Sequence, residues 1–157
     1  MGDDQSFLRE ALELARANIE TGGRPFGAVV VRDGEIVGRG VNEILATHDP
    51  TAHAELMAIR DSSRKLGTAN LSGCAVYASG HPCPMCLAAM RLAGVREVTY
   101  AYTNEDGAPF GLSTAEVYAD LAKPFSEQSM KIRHVPIRLD SAPDLYGVWK
   151  RGQLPST

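Results

Sequence analysis

The stretch DPTAHAELMAIR, residues 49–60, places a histidine and a glutamate two positions apart near a predicted helix start. In the middle of a helix, side chains two positions apart point to nearly opposite sides. His53 and Glu55 can therefore converge only in a first turn, where Asp49-Pro50 places them. The stretch is either half of a metal site or an ordinary polar helix end.

A second predicted helix start, HPCPMCLAAM at residues 81–90, carries a Pro-Cys-x-x-Cys motif. The unpaired N–H groups and the positive dipole at a helix N-terminus lower the pKa of a thiol, which favours the thiolate that a metal needs. Taken alone, Cys83 and Cys86 are also typical of a redox pair or a structural zinc site. A lone His53 is also typical of an ordinary polar group.

Together the two motifs supply the ligands of a catalytic zinc ion. Such an ion takes three protein ligands and keeps one position for water. His53, Cys83 and Cys86 provide three, and the ion lowers the pKa of its water from about 15.7 to about 7. Glu55 can take the proton of this water and pass it to a leaving amine. His-x-Glu followed by Pro-Cys-x-x-Cys is the signature of zinc deaminases, so we expect one Zn²⁺ per chain and hydrolytic deamination.

Length and composition fit a small enzyme. The 157 residues, 44% hydrophobic and 22% charged, predict one domain over residues 1–157. No run approaches the roughly 18 apolar residues of a membrane span. Three cysteines argue against a disulfide framework, and we expect a cytoplasmic protein. The net charge of -3 argues against binding nucleic acid mainly through a basic surface.

The order of the predicted elements indicates an α/β domain. Helices are predicted at 4–20, 50–66 and 84–92, after a capping box at Ser113–Glu116, and from Pro143. Strands are predicted on either side of Asp33-Gly34 and at 74–79, 97–102 and 131–137. This alternation predicts three α/β/α layers around a central mixed five-stranded sheet whose later strands run parallel. Ligands are then expected at the carboxyl ends of the strands.

The chain resembles the cytidine deaminase superfamily, and within it the guanine deaminases and tRNA adenosine deaminases. The resembling segments are GGRPFGAVVVRDG (22–34), NEILATHDPTAHAELMAIR (42–60), HPCPMCLAAM (81–90) and the strand at 97–102. The resemblance implies a cytidine deaminase-like fold, zinc bound by His53, Cys83 and Cys86, and a proton shuttle at Glu55.

The resemblance also implies the substrate-binding residues. A base would lie near Phe26 and the Ala54 backbone, with Asn42 bonded to its polar edge. By themselves, Phe26 is as typical of core packing, and Asn42 of a strand end, since Asn is common in turns. Cys74, in an apolar strand, is expected to be a buried small residue without a function.

Two positions depart from the pattern of these enzymes. His81 stands where family members commonly have Glu. Gly111-Leu-Ser-Thr114 stands where guanine deaminases have Gly-Phe-Asp-Asp. In those enzymes the second Asp recognises the amidine edge of guanine. Loss of such a charge-assisted contact costs about 1.5–3 kcal/mol. We therefore expect altered specificity, with His81 and Thr114 in contact with the substrate.

The expected activity is deamination of a free nucleobase or a related amino-substituted nitrogen heterocycle. The alternative activity is that of a tRNA adenosine deaminase, because HDPTAHAELMA (48–58) is close to that branch of the superfamily. Against it, the C-terminal segment has few of the basic residues that RNA binding requires. A different class is a non-catalytic zinc-stabilised binding module, with His81 or Cys74 as a fourth ligand.

The C-terminal segment, about residues 140–157, is a candidate lid or dimer element. Its aromatic residues Tyr146 and Trp149 can cap a pocket or pack the last helix, and Trp149 is a candidate substrate contact. Guanine deaminases that resemble this chain exchange C-terminal segments across a dimer. The resemblance therefore implies a homodimer.

Overall fold

The computed structural model describes residues 2–139 and 144–153 and divides the chain into two compact units, residues 1–122 and 123–157. The helices of the first unit are α1 (Gly2–Glu20), α2 (Ile44–Thr47), α3 (Ala54–Leu66), α4 (Pro84–Ala93), α5 (Asn104–Gly107) and α6 (Ala115–Leu121). Its strands are β1 (Gly27–Arg32), β2 (Glu35–Val41), β3 (Cys74–Gly80) and β4 (Glu97–Tyr102). The single domain expected over residues 1–157 stays a prediction.

The strands form one mixed sheet in the order β2-β1-β3-β4. β1 pairs antiparallel with both β2 and β3, whereas β3 and β4 are parallel. Asp33 and Gly34 close the β1–β2 hairpin with φ angles of 51° and 77°, the left-handed conformation that a tight two-residue turn requires. The predicted hairpin, mixed sheet and parallel later strands are confirmed.

The expected number of strands is wrong, because the described residues form four strands and not five. Residues 131–137, predicted as the fifth strand, have no regular secondary structure. Pro136 has no N–H to donate to a strand ladder. The apolar Ile132, Val135 and Ile137 do not alternate along the chain, and all three are exposed.

Helices cover both faces of the sheet. Successive residues of a strand face opposite sides, so Val29 and Val30 of β1 belong to different cores. On one face Val29 lies in a cluster against which Phe7, Leu8 and Leu14 of α1 pack. On the other face, Val30 lies in a cluster with residues of α3 and α4, among them Ala54, Ala58, Cys86 and Met90. The three-layer α/β/α arrangement is confirmed.

Two predicted helix starts differ from the structure. The helix expected from Pro50 begins only at Ala54, because the Asp49 carboxylate accepts hydrogen bonds from the N–H and hydroxyl of Thr51, which hold a turn. The capping box expected at Ser113–Glu116 is absent, since α6 begins after Thr114 and the Thr114 side chain caps no N–H. A capping box forms instead between Thr103 and Asp106, at the start of α5.

The second unit contains a short 3-10 turn, Phe125–Glu127, and helix α7, Leu145–Gly152. Pro143, the expected start of this helix, lies outside the described residues, as do the other residues of 140–143 and 154–157. The role of the C-terminal segment as a lid or dimer element stays a prediction. None of the described helices combines the length and the apolar character that crossing a membrane would require.

Candidate active site

The starts of α3 and α4 bring the three predicted metal ligands together. His53 is the N-cap residue of α3 and Cys83 the N-cap residue of α4, where Pro84 takes the first helical position. The ligand atoms of His53, Cys83 and Cys86 all lie within 4.8 Å of one another. Nδ1 of His53 is 3.4 Å from Sγ of Cys83, and tetrahedral zinc would separate such a nitrogen and sulfur by about 3.5 Å. The donor set and its spacing fit zinc.

Hydrogen bonding prepares one thiol of this group as a thiolate. The Cys86 thiol donates to Cys83, and this bond, together with that to His53, lowers the pKa of Cys83 to about 4 despite burial. The same bond raises the pKa of Cys86. The bond to Cys83 also raises the pKa of His53. A divalent cation among these atoms would replace the shared protons and stabilise both sulfurs as ligands.

Glu55 lies in the first turn of α3, beside the three ligands, and is only 7% exposed. Burial raises its pKa, partly offset by a hydrogen bond from its own backbone N–H. A carboxyl group whose pKa is raised by burial takes up a proton more readily than an exposed one.

A cavity of about 150 Å³ opens beside this group, and His53, Glu55 and Cys83 form part of its wall. The predicted substrate-binding residues that line it are Phe26, Asn42, Ala54, His81 and Thr114. The sixth, Trp149, lies on α7 in the second unit and is 62% exposed. Contact between Trp149 and the substrate therefore stays a prediction.

Asn42 is buried and held rigidly in the cavity wall. Its side-chain oxygen accepts a hydrogen bond from the Ile44 N–H at 3.2 Å, and its backbone carbonyl accepts one from the Asn18 amide at 2.9 Å. Its own backbone N–H donates to the carbonyl of Phe26 at 3.2 Å. These bonds leave the side-chain NH₂ of Asn42 as the group that can donate to a ligand.

Several neighbours of His81 were not predicted from the sequence. The rings of Tyr100 and Tyr118 meet the His81 ring edge-on, with centroids 4.8 and 5.3 Å away. The Asn104 side chain lies between His81 and Thr114, within hydrogen-bonding distance of both. The Thr103-x-x-Asp106 spacing is a signal for a helix start that would have placed Asn104 directly after β4. The wall also contains Arg24 and Gly80, together with Gly111, Leu112 and Ser113 of the stretch that departs from the guanine deaminase pattern.

Residues 1–102 match the family described as the cytidine and deoxycytidylate deaminase zinc-binding region. The chain belongs to the cytidine and deoxycytidylate deaminase family. It is a zinc-dependent hydrolytic deaminase, and the sequence prediction of both the family and the metal is confirmed.

Several named deaminases are similar to this chain in sequence or structure. Guanine deaminase of Bacillus subtilis is 37% identical over 147 residues, covering 93% of either chain. Its crystal structure matches with a TM-score of 0.84 at 35% identity and covers 98% of this chain and 96% of that one. The structure of a guanine deaminase from Nitrosomonas europaea matches with a TM-score of 0.66 at 32% identity, over 69% of this chain and 64% of that one. A tRNA-specific adenosine deaminase of Aquifex aeolicus is 40% identical over 95 residues, 60% of this chain and 63% of its own.

Cys74 takes no part in the metal group. It is a free, buried cysteine at the beginning of β3, whereas Cys83 follows the end of that strand. Among the described residues the cluster of possible ligands contains His53, Cys83 and Cys86, without Cys74 or His81. A closed structural zinc site would need a fourth protein ligand, so this arrangement favours a catalytic site over a zinc-stabilised binding module.

Proposed function

We propose that this enzyme deaminates a free nucleobase or a closely related amino-substituted nitrogen heterocycle. The observation that carries the proposal is the small cavity that joins the metal ligands and Glu55 to Phe26 and Asn42. Its volume of about 150 Å³ is below the roughly 300–1,000 Å³ of pockets for larger ligands. The space beside the metal ligands therefore has room for one heterocyclic ring system. The guanine deaminases among the relatives support the same substrate class.

Glu55 is the proposed proton carrier. Bound zinc supplies a water molecule of lowered pKa. The Glu55 carboxylate takes a proton from this water and gives it to the ring nitrogen next to the amine-bearing carbon. The water oxygen bonds to that carbon. The carboxylate then takes the second proton from the hydroxyl now bonded to that carbon and passes it to the amine, the C–N bond breaks, and ammonia leaves while an oxo group remains. Burial of Glu55 keeps the proton within the site.

Phe26, Asn42 and the Ala54 backbone are the proposed contacts that hold the ring. The Asn42 side chain is fixed by its bond from Ile44, so its NH₂ group is preorganised to donate to an acceptor on the substrate. Phe26 offers an apolar wall to the flat heterocycle. His81 and Thr114 complete the wall and are proposed to set specificity.

Glu55→Gln tests this function. We expect ammonia release from a panel of guanine, adenine, cytosine, isocytosine, aminotriazines and aminopterins to identify a substrate for the wild-type protein. Loss of the proton carrier should lower kcat by about 10²–10⁴-fold, while one zinc per chain is retained. Glu13→Gln, an exposed substitution on α1, is the matched control. Wild-type turnover by Glu55→Gln would exclude this mechanism, and silence of the wild type across the panel would exclude this substrate class.

Deamination of adenosine in tRNA is the second candidate, supported by the tRNA adenosine deaminases among the relatives. The similarity to the Aquifex enzyme covers 60% of this chain, whereas the similarity to the Bacillus guanine deaminase covers 93%. A free heterocycle is therefore the preferred substrate. Tight binding of a tRNA in a gel-shift experiment, weakening steeply with salt, would reverse this preference.

We also propose that the enzyme is a cytoplasmic homodimer. Exposed apolar side chains on α4 and on the edge strand β4 support an interface: Leu87, Leu92, Tyr100 and Tyr102. Such a group is typical of surfaces that bind another protein. Sedimentation at micromolar concentration should give the mass of two chains, and a monomer would contradict the proposal.

A further inference from the structure

The side chain of Asn104 connects the two wall residues that depart from the family pattern. Its Oδ1 accepts a hydrogen bond from the Thr114 backbone N–H at 3.2 Å and lies 3.5 Å from the Thr114 hydroxyl. A backbone N–H can only donate, so the oxygen of the amide must face Thr114. The NH₂ group then lies on the other side, 3.3 Å from Nδ1 of His81.

Nδ1 of His81 has two possible partners and can pair with only one of them. It can accept a hydrogen bond from Asn104, or it can donate to the Pro82 carbonyl, 3.0 Å away. The Pro82 carbonyl already accepts a hydrogen bond from the Tyr118 hydroxyl. Among the described residues, Nδ1 is the acceptor within reach of the Asn104 NH₂ group. The Asn104 NH₂ group, Nδ1 of His81 and the Pro82 carbonyl are therefore all paired when Nδ1 accepts and the ring proton is on Nε2.

We propose that Asn104 is a positioning residue that holds His81 in the Nε2-protonated tautomer, so that the cavity wall offers a hydrogen-bond donor to the substrate. Nε2 is the ring nitrogen left for a ligand, because Nδ1 faces Asn104 and Pro82. This inference rests on the proposed function.

The tautomer defines the class of substrate more narrowly. The Asn42 side chain also presents its NH₂ group, since its oxygen is bonded to the Ile44 N–H. With His81 as a second donor, the wall is complementary to an edge that carries acceptors, either an oxo group or an unprotonated ring nitrogen. An edge that carries N–H or NH₂ groups would meet donors instead. The inferred substrates are amino heterocycles with an acceptor on the edge that faces His81.

Nitrogen NMR of the zinc-loaded protein tests the tautomer directly. Long-range proton–nitrogen spectra of ¹⁵N-histidine protein distinguish a protonated ring nitrogen from an unprotonated one, and His81→Gln identifies the signals of His81 by their loss. We expect an unprotonated Nδ1 and a protonated Nε2 in the neutral ring. A protonated Nδ1 would overturn the inference.

Asn104→Asp tests the control of the tautomer by residue 104. An aspartate can accept from the Thr114 N–H with one oxygen and from a protonated Nδ1 with the other, so the ring proton should move to Nδ1 and Nε2 should become an acceptor. We then expect the ratio of kcat/KM for an acceptor-edged heterocycle to that for its donor-edged analogue to fall about tenfold. Zinc content should not change.

Asn70→Asp is the matched control for the added charge. The Asn70 oxygen accepts from the N–H and hydroxyl of Ser72 at 3.0 and 2.6 Å, the same pattern as in Asn104, but Asn70 precedes β3 whereas His81 follows it. An unchanged substrate ratio in Asn104→Asp, or an equal change in Asn70→Asp, would refute the role of Asn104. The NMR result decides the tautomer even if no panel member is turned over, so failure of the proposed function remains distinguishable.

Discussion

Gly40 determines how closely strand β2 packs against helix α3, and its replacement tests whether this packing positions the active site. A Cβ atom added at Gly40 would lie 2.3 Å from the Ala54 carbonyl oxygen and 2.3 Å from the Ala58 backbone nitrogen, whereas ordinary contacts begin at 3.4 Å. Both atoms belong to the helix backbone, so no change of rotamer relieves the overlap. Gly40→Ala therefore requires α3 to move away from β2 by about 1 Å.

This movement would displace the catalytic group, because Ala54 stands between His53 and Glu55 at the start of α3. Overpacking of this kind reduces the free energy of unfolding by about 1–3 kcal/mol. A misplacement of about 1 Å at a reacting group can reduce the rate about 10²-fold. Gly40→Ala should thus lose far more activity than its remaining folded fraction explains.

The measurements are the free energy of unfolding in urea, bound zinc by mass spectrometry, and kcat/KM for the substrate found in the panel. Gly147→Ala on α7 is the control, since a Cβ atom there has no neighbour within 4 Å, and we expect it to behave as the wild type. If Gly40→Ala keeps both the stability and the kcat/KM of the wild type, close packing of β2 on α3 does not set the site.

Three further predictions concern stability, metal and specificity. Tyr77 donates a hydrogen bond to Asp4 at 2.5 Å, which raises the Tyr77 pKa from 10.0 to about 12. The stabilisation from this bond is complete below pH 10 and is lost as the pH rises through 12. Tyr77→Phe should therefore be less stable than the wild type at neutral pH, and denaturant titrations should show this difference disappearing between pH 10 and 12. Cys83→Ser should lose bound zinc, measured by mass spectrometry, whereas Cys74→Ser should keep one ion per chain. Thr114→Asp should raise kcat/KM for guanine, and no gain would mean that guanine recognition depends on other residues.

The metal group was predictable because each half of it is local. His-x-Glu and Pro-Cys-x-x-Cys each lie within one helix start, where helical geometry fixes how the side chains converge. The two halves meet because α3 and α4 pack on the same face of the sheet. The proton shuttle role of Glu55 and the substrate contacts stay predictions, although the cavity brings Glu55, Phe26 and Asn42 together.

The missed features depend on contacts between segments far apart in the chain. Asn104 bonds Thr114 ten positions later and contacts His81 twenty-three positions earlier, distances over which no periodicity operates. The prediction of a fifth strand at 131–137 was wrong for a related reason. An apolar segment becomes a strand only where a partner strand accepts its hydrogen bonds. Its Pro136 removes one of those bonds in advance.

The residues proposed for catalysis and those proposed for specificity lie in different parts of this fold. The metal ligands and Glu55 are fixed by two helix starts, whereas His81 and Asn104 follow the neighbouring parallel strands β3 and β4. The His81 N–H donates to the Tyr102 carbonyl at 2.8 Å, which holds the ends of these strands together just beyond the sheet. Among the described residues, the Asn104 side chain bonds Thr114 and His81 and none of the metal ligands. We therefore expect substitutions at Asn104 or Thr114 to change which heterocycle is bound while the helix starts, and with them the chemistry, stay in place.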